Sequence, residues 1–397
     1  PQVNFAIEQL IDECAEAINI DPIDFRRNNL LRQNSITITG QKLDNHEVTT
    51  HEVLNKVLEN SGYNSKLKQC GKFTPGKHYG IGLSITYRGC SLGAEGVDFC
   101  SAIINAQFDG SILLEVGIHE NGQGAESTMI LLLAEHLGIK RERIRYNRSS
   151  TSHIPDGGPT VASRGTLMGG GAVVNAVKIL QNSIAKTLHN ELHCTVSEVS
   201  IHDDCVWGKD DSHKLIWEEA MLVMQKKRVY PFAFGTFAAP MVSWHEEKGK
   251  GKAYFTWVYS AQVTEVEVDT TTGKIKLLKI WAVHDVGKVV NPPLLAGQVF
   301  GGVMQGAGMA LMEDLEIQNG RIQNLNFNKY RVPRTTDVPE IELETLDTRD
   351  PNSPSGAKGV GEPALELIAP AIANAVHNAI GVRTYSYPIK LTVKNND

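Results

Sequence analysis

Four glycine-rich, polar segments constrain this chain more than any other feature. They are HENGQGAEST at 119–128, PDGGPTVASRGT at 155–166, HDVGKVVNPPLLAGQVFGG at 284–302 and GAKGVGEPA at 356–364. Each interrupts a well-patterned stretch and leads into a helix-like run. A loop that enters a helix presents backbone N–H groups with no partner inside the helix, and these suit anionic ligands such as phosphate. Glycine lets the backbone approach a ligand closely. Glutamine side chains both donate and accept, which suits a ligand edge of mixed polarity.

Between these segments the pattern alternates helix and strand. Residues 3–18 read as an amphipathic helix that ends before Asp21-Pro22, a second short helix follows over Pro22–Leu31, and a third covers 49–61. The stretch 62–78, rich in Gly, Lys and Pro, reads as a linker. SAIINAQF and SILLEVGI flank Asp109-Gly110 and predict a hairpin. A helix is predicted from Glu126 to Leu137, closed by Gly138. RIRYN reads as a strand, 149–164 as loop, and Thr166 to about His193 as a long helix. A second block begins near Ala261. There QVTEVEVD and KIKLLKIWAV flank a Thr-Thr-Gly turn, and a helix is expected over Pro293–Leu315. The two blocks are either a weak internal repeat or two similar α+β units. A hairpin at Asn319-Gly320, a helix over Pro363–Ile380 and a strand PIKLTV complete the reading. The fold class is α+β, mixed β-sheets with packed helices. The expected division is a helical tail of one domain at 1–70 and a second domain at 71–397, with subdomains at 79–200 and 255–397.

Charge narrows the function classes. The chain of 397 residues carries a net charge of -6 with acids and bases interspersed, so it lacks the basic face that nucleic-acid or membrane-surface binding needs. Its six cysteines, Cys14, Cys70, Cys90, Cys100, Cys194 and Cys205, form no CxxC pair. That spacing argues against an iron–sulfur cluster held by this chain and fits a reducing cytoplasm better than a disulfide framework. The most apolar long stretches still carry Lys178 and Gln181, or Glu366, Pro370, Asn374 and His377, and none reads as a membrane span. The chain opens at Pro1, and the expectation is a piece of a larger protein or one subunit of a split one. No GxGxxG lies between a strand and a helix in the dinucleotide-binding arrangement, and no GKS or GKT occurs.

Taken in order, the segments resemble the molybdopterin-binding region of the xanthine dehydrogenase and aldehyde oxidase family of molybdenum hydroxylases. Five stretches carry the resemblance, which spans nearly the whole chain. Pro1-Gln2 precedes a helix with Glu8, then Asp21-Pro22, Arg26 and Asn28-Asn29. Gly122-Gln123-Gly124 is followed by Ala134 to Ile139. Pro155-Asp156 leads to Thr160, Ala162 and Ser163. Asp285 and Gly287 lead to Asn291-Pro292, Gly297-Gln298 and Gln305-Gly306. Gly359 leads to Gly361-Glu362-Pro363.

The resemblance implies a role for each position. Gln123, between Gly122 and Gly124, corresponds to a glutamine beside the molybdenum oxo ligand. Thr160, Ala162, Ser163 and Thr166 correspond to pterin and phosphate contacts, although Gly165 stands where some relatives have serine. Gln298 corresponds to a pterin contact and Gly361 to the catalytic loop. Glu362 corresponds to the base. In this family a molybdenum-bound hydroxide attacks an electron-poor carbon, hydride passes to a sulfido ligand, and a carboxylate takes the hydroxide's proton. The pterin dithiolene holds the metal, so no protein ligand is implied. The implied cofactor is molybdopterin with molybdenum, with the cytosine dinucleotide form left open. Iron–sulfur clusters, FAD and the upstream pterin-binding half are expected on partner chains or on another portion of the protein, in a complex expected to be dimeric. An isolated chain of this extent is expected to bind cofactor weakly. The expected small-molecule substrate is an aromatic N-heterocycle such as a purine or nicotinate. An aldehyde is the runner-up, and a non-catalytic scaffold or assembly subunit is the alternative of a different class.

Plainer readings stand beside these. Glu362 before Pro363 is also what a helix N-terminal acid looks like, worth ~0.5–1 kcal/mol. Gln123 and Gln298 read as ordinary loop hydrogen-bonders, and Thr160–Thr166 as a helix cap. His119 and His153 are candidates for a cavity wall, without any HExxH pairing. Arg164 is a candidate partner for phosphate or carboxylate, or a surface ion pair. Tyr87, Arg88 and Glu95 are candidates for the border of a substrate pocket.

Overall fold

The computed structural model describes residues 1–391 other than 155 and 211. Its centre is a long hairpin, Trp257–Asp269 against Lys274–Asp285. Lys77–Gly89 pairs antiparallel along the whole of the first strand, Gly71–Thr74 adds an edge, and Glu340–Leu346 lies parallel to the second strand. The result is a five-stranded mixed sheet.

Helices cover both faces of this sheet, which is why its central strands are buried along most of their length. On one face lies α3 (Thr50–Ser61), reached through α1 (Gln2–Ala17) and α2 (Pro22–Asn29). Its Val53, Leu54 and Val57 pack with Leu83, Tyr259 and Val263. On the other face, Ala364, Ile368 and Ile372 pack with Val266, Ile280 and Ala282. A bulge near Glu265 leaves Leu278 unpaired and switches the facing of its strand. Leu277 therefore joins the same cluster as Ile280. At Gly82 the covering helix comes so close that an added Cβ would stand 2.2 Å from the Ala371 carbonyl oxygen, so only glycine fits.

A second sheet has the order Ile144–Tyr146, Ile112–Val116, Phe99–Ala106, Phe232–Ala238. It forms its own core with α5 (Ala125–Leu137), α6 (Gly170–Leu188) and α7 (Trp217–Lys226), α4 being the short Tyr63–Leu67. The last two helices, α8 (Pro292–Leu311) and α9 (Pro363–Ile380), pack on each other against the first sheet.

The mixed-sheet α+β class, the hairpin at Asp109-Gly110, the hairpin at Asn319-Gly320 and the helix Pro363–Ile380 are as expected. Other expectations are corrected. The stretch 62–78 is not a linker: it folds as α4 and a hairpin turning at Gly76, φ +80°, so its Gly and Pro are turn residues. The division into 79–200 and 255–397 is crossed by Lys77–Gly89, which pairs with Trp257–Asp269 rather than within its own block. The helix expected to start at Thr166 begins instead with a π-helical turn, Gly165–Gly169, and ends at Leu188. The helix expected to run to Leu315 stops at Leu311. That α8 is long and apolar enough by length and composition to cross a membrane, although none was expected to be. Of PIKLTV, residues 388–391 form no strand and the remainder lies outside the described residues, as does Pro155.

Candidate functional site

The four glycine-rich segments meet between the two sheets around one cavity of about 730 Å³. Gln123, Thr160, Ser163, Thr166, Gln298, Gly361 and Glu362 all line it. Residues drawn from 123 to 362 thus share one wall, although they come from four separate helix entries. Gly122, Gly124 and Ala162 are adjacent positions in the same loops. Gln298 is on α8 rather than in a loop, with Asn291 capping that helix through a bond from the Leu294 N–H.

The second segment is held under strain. Ala162 and Ser163 have φ of +51° and +50°, a left-handed conformation that costs a non-glycine residue on the order of 1–3 kcal/mol. Arg164 supplies the constraint. Its side chain is buried, with Nε donating to Asp98 Oδ1 at 2.8 Å, Nη1 to the Pro159 carbonyl at 2.7 Å and Nη2 to the Phe99 carbonyl at 2.8 Å. It pairs with a carboxylate, as the sequence suggested, but the pair is buried rather than on the surface, and it clamps the loop.

That clamp presents Ser163 to Glu362. The hydroxyl donates to the Glu362 carboxylate, and the Glu362 N–H donates back to the hydroxyl oxygen at 3.1 Å. Gly359 makes this approach feasible, since a Cβ there would lie 2.2 Å from the Ser163 carbonyl oxygen. On its other side Glu362 faces Arg88, with Nη2 3.5 Å from Oε1. Arg88 also pairs with Glu366, one helical turn on. Burial pushes the Glu366 carboxyl above its ordinary range; Arg88 opposes this and the Glu362 charge adds to it. The floor of the cavity therefore holds a partly exposed carboxylate between one hydroxyl and one guanidinium.

A buried ion pair ties the third and fourth segments together. Lys358 Nζ donates to Asp285 Oδ2 at 2.7 Å, and that carboxylate also accepts from Thr49 Oγ1 at 2.8 Å, Thr348 Oγ1 at 2.7 Å and the Gly287 N–H at 3.1 Å. Four donors leave neither oxygen unsatisfied, which a buried carboxylate requires.

The first segment differs from expectation. Glu120 folds back over the start of α5, its carboxylate accepting from the N–H groups of Gly122 at 2.8 Å, Gly124 at 3.0 Å and Glu126 at 3.1 Å. Burial pushes this carboxyl up, but those donors outweigh it and hold it below its ordinary range. The N-terminus of α5 is thus already neutralised by the chain's own acid. Gln123 is also engaged within its loop: Nε2 donates to the His119 carbonyl at 2.7 Å, and Oε1 accepts from the Asn121 N–H at 2.5 Å. Sequence reasoning missed Glu120, Asp98 and Lys358 and gave Asp285 no site role; the one available signal was a lone acid, Glu120, just before the GQG turn.

Other candidates fall outside this wall. His119 supports it, its N–H bonded to Thr160 Oγ1 at 3.0 Å. His153 pairs with Glu115 at 3.3 Å. Glu95 is exposed in a 3₁₀ turn, Gly93–Glu95, away from the cavity. Tyr87 lines a separate cavity of about 210 Å³ beside Asn4, Glu8 and Arg26.

The cavity fits a cofactor that brings its own metal ligands. Among the described residues no group of three or more His, Cys, Asp or Glu is placed to hold a metal ion. The wall offers instead hydroxyls, amides and helix-entry N–H groups, the donors that a polar heterocycle with a phosphate would use.

Comparison with known proteins points the same way. The family model described as "Molybdopterin cofactor-binding domain" matches residues 56–339. The chain is 28% identical over 387 residues to the nicotine 6-hydroxylase large subunit of Paenarthrobacter nicotinovorans, covering 94% of this chain and 47% of that one. It is 27% identical over 393 residues to a probable xanthine dehydrogenase subunit of Bacillus subtilis, covering 98% and 50%. Among solved structures it superposes on the aldehyde oxidoreductase of Desulfovibrio desulfuricans with TM-score 0.82 and 27% identity, over 97% of this chain and 39% of that one. Quinoline 2-oxidoreductase of Pseudomonas putida shares the fold with TM-score 0.85 at 23% identity, over 97% and 50%. The chain spans about half the length of the two curated relatives quoted.

Proposed function

Because the chain belongs to the molybdopterin cofactor-binding domain family, we propose that it forms one half of a molybdenum–pterin site that hydroxylates an aromatic N-heterocycle, with Glu362 as the base. The carrying observation is the Glu362 carboxylate, held between Ser163 and Arg88 where the four helix entries meet. The names of the two relatives quoted, a nicotine hydroxylase and a probable xanthine dehydrogenase, support the substrate class.

In this reading Thr160, Ser163, Thr166 and Gln298 hold the pterin and its phosphate, with Gly361 and Ala162 giving backbone access. Gln123 turns out of its loop to reach the metal end. When bound, the molybdenum–pterin group supplies two-electron redox chemistry and activates water as the oxygen source. Glu362 accepts a proton at its carboxylate as that oxygen attacks the substrate. The Ser163 hydroxyl and the Arg88 guanidinium hold that carboxylate in place. The upstream pterin-binding half, the iron–sulfur clusters and FAD are supplied by partner chains or another portion of the protein. A cytoplasmic site of action accords with the six free cysteines.

Replacing Glu362 with Gln in the assembled enzyme tests the reading, with nicotine- and purine-type heterocycles as substrates. Turnover should fall by at least ~10²-fold with cofactor content unchanged. Near-wild-type turnover would overturn the catalytic role and favour a scaffold. The likeness to aldehyde oxidoreductase favours an aldehyde as the second reading, and turnover of aldehydes but not heterocycles would select it.

A further inference from the structure

We propose that Lys288 receives an anionic, phosphate-bearing part of the cofactor, and that Glu135 is the counterion it leaves to do so. This rests on the reading of the cavity as a pterin site.

Among the described residues three cations line the cavity: Arg164, Lys288 and Lys358. Two are committed. The side chains of Arg164 and Asp98 are 0% and 2% exposed, and those of Lys358 and Asp285 are 1% and 0% exposed. Withdrawing either cation would strand a buried carboxylate, so neither can turn to a ligand. The pair of Lys288 with Glu135 is different in kind. Lys288 is 18% exposed and Glu135 is 52% exposed. Water can take over from Lys288 at Glu135, and a half-exposed ion pair is worth little. Glu135 also lies in the last turn of α5, where the negative end of the helix disfavours an acid. It is an easily surrendered partner.

The backbone of Lys288 is nevertheless fixed. Its N–H donates to the Gly356 carbonyl at 2.8 Å, and Gly287 bridges to Ala357. The lysine stands at the junction of the third and fourth segments, on a flexible stem whose ammonium is free to turn. Glu362 is the one carboxylate lining the cavity among the described residues. The wall is otherwise neutral or cationic, and the N-terminus of α5 is already capped by Glu120. Lys288 is therefore the cation this wall can offer an incoming phosphate.

The test uses the assembled enzyme containing the complete protein, in wild-type, Lys288→Met, Lys288→Arg and Glu135→Gln forms. Molybdenum is measured by elemental analysis and pterin by fluorescence after oxidation, each followed through dialysis at low and high salt. Lys288→Met should release cofactor about tenfold faster or more, and with less dependence on salt than wild type. Lys288→Arg should restore retention. Glu135→Gln should hold cofactor at least as well as wild type. Wild-type retention in Lys288→Met, or equal loss in Glu135→Gln, would overturn the inference while leaving the pterin site intact. Absence of pterin from the wild-type complex would overturn both.

Discussion

Ser163 and Glu362 bond reciprocally: the serine hydroxyl donates to the carboxylate, and the Glu362 N–H donates to the serine oxygen at 3.1 Å. The two residues lie 199 positions apart and are brought together by a strained turn at Ala162-Ser163. The strain is held by Arg164, so the clamp on Asp98 acts on the carboxylate from a distance of several residues.

Ser163→Ala removes the hydroxyl that bonds both the carboxylate and the N–H of Glu362. A base that is no longer held in place loses rate, so turnover per bound molybdenum should fall about tenfold. Wild-type turnover per bound molybdenum would show that the hydroxyl does not position Glu362.

Arg88→Met removes the cation shared by Glu362 and Glu366. Burial already raises the Glu366 carboxyl, and without Arg88 it rises further. A folded-state acid with a raised pKa binds more protons than the unfolded chain, so stability falls as pH rises above the ordinary value of 4.5. Urea unfolding at pH 5 and pH 8 should show a steeper fall in the variant. The loss at pH 8 should be ~1–3 kcal/mol, given that Arg88 is partly exposed.

Much of this site was legible in the chain, and the reason is local chemistry. The starts of α5 and α9 are marked by Gly-Gln-Gly and by Gly-Glu-Pro, because helix entry and close approach depend on nearby residues. What was not legible depends on distant partners. The pairing of Lys77–Gly89 with Trp257–Asp269 is set by packing across some 180 positions, and no local pattern encodes it. Arg164 sits in a polar loop and looks exposed, yet its carboxylate partner, Asp98, lies 66 positions earlier. Gly and Pro at 62–78 mark turns equally well in a hairpin and in a linker. Glu120 was hidden for the opposite reason: it is so close to the turn it caps that it reads as part of the loop's general polarity.

Two buried histidines make a pH prediction of the opposite sign. Burial, helped by Lys358, lowers His46 from its ordinary 6.5 to about 4, and burial alone lowers His284 to about 4. Each is neutral in the folded protein while its unfolded counterpart takes up a proton below 6.5. Stability is thus fully present above pH 6.5 and is lost as pH falls toward 4, by an amount of order several kcal/mol for the two together. His284→Leu should flatten the unfolding free energy between pH 7 and pH 5, measured by chemical denaturation. The same slope in variant and wild type would exclude His284 as a source of acid lability.

The Asp285–Lys358 pair yields the sharpest stability test, because geometry dictates unequal outcomes for single and double replacements. Lys358→Met leaves a buried carboxylate with three neutral donors, Thr49, Thr348 and the Gly287 N–H, and no cation. An uncompensated buried charge costs about 3–5 kcal/mol. Asp285→Asn leaves a buried ammonium and should cost a comparable amount, since Lys358 is 1% exposed. Combining the two removes both charges while the asparagine oxygen can still accept from the threonine hydroxyls. The double variant should therefore be more stable than either single variant, with a coupling of at least ~2 kcal/mol in a double-mutant cycle. Cofactor content should follow the same order, because this pair fixes the third segment against the loop that carries Glu362. Additive losses would mean that the two segments are held together by something other than this ion pair.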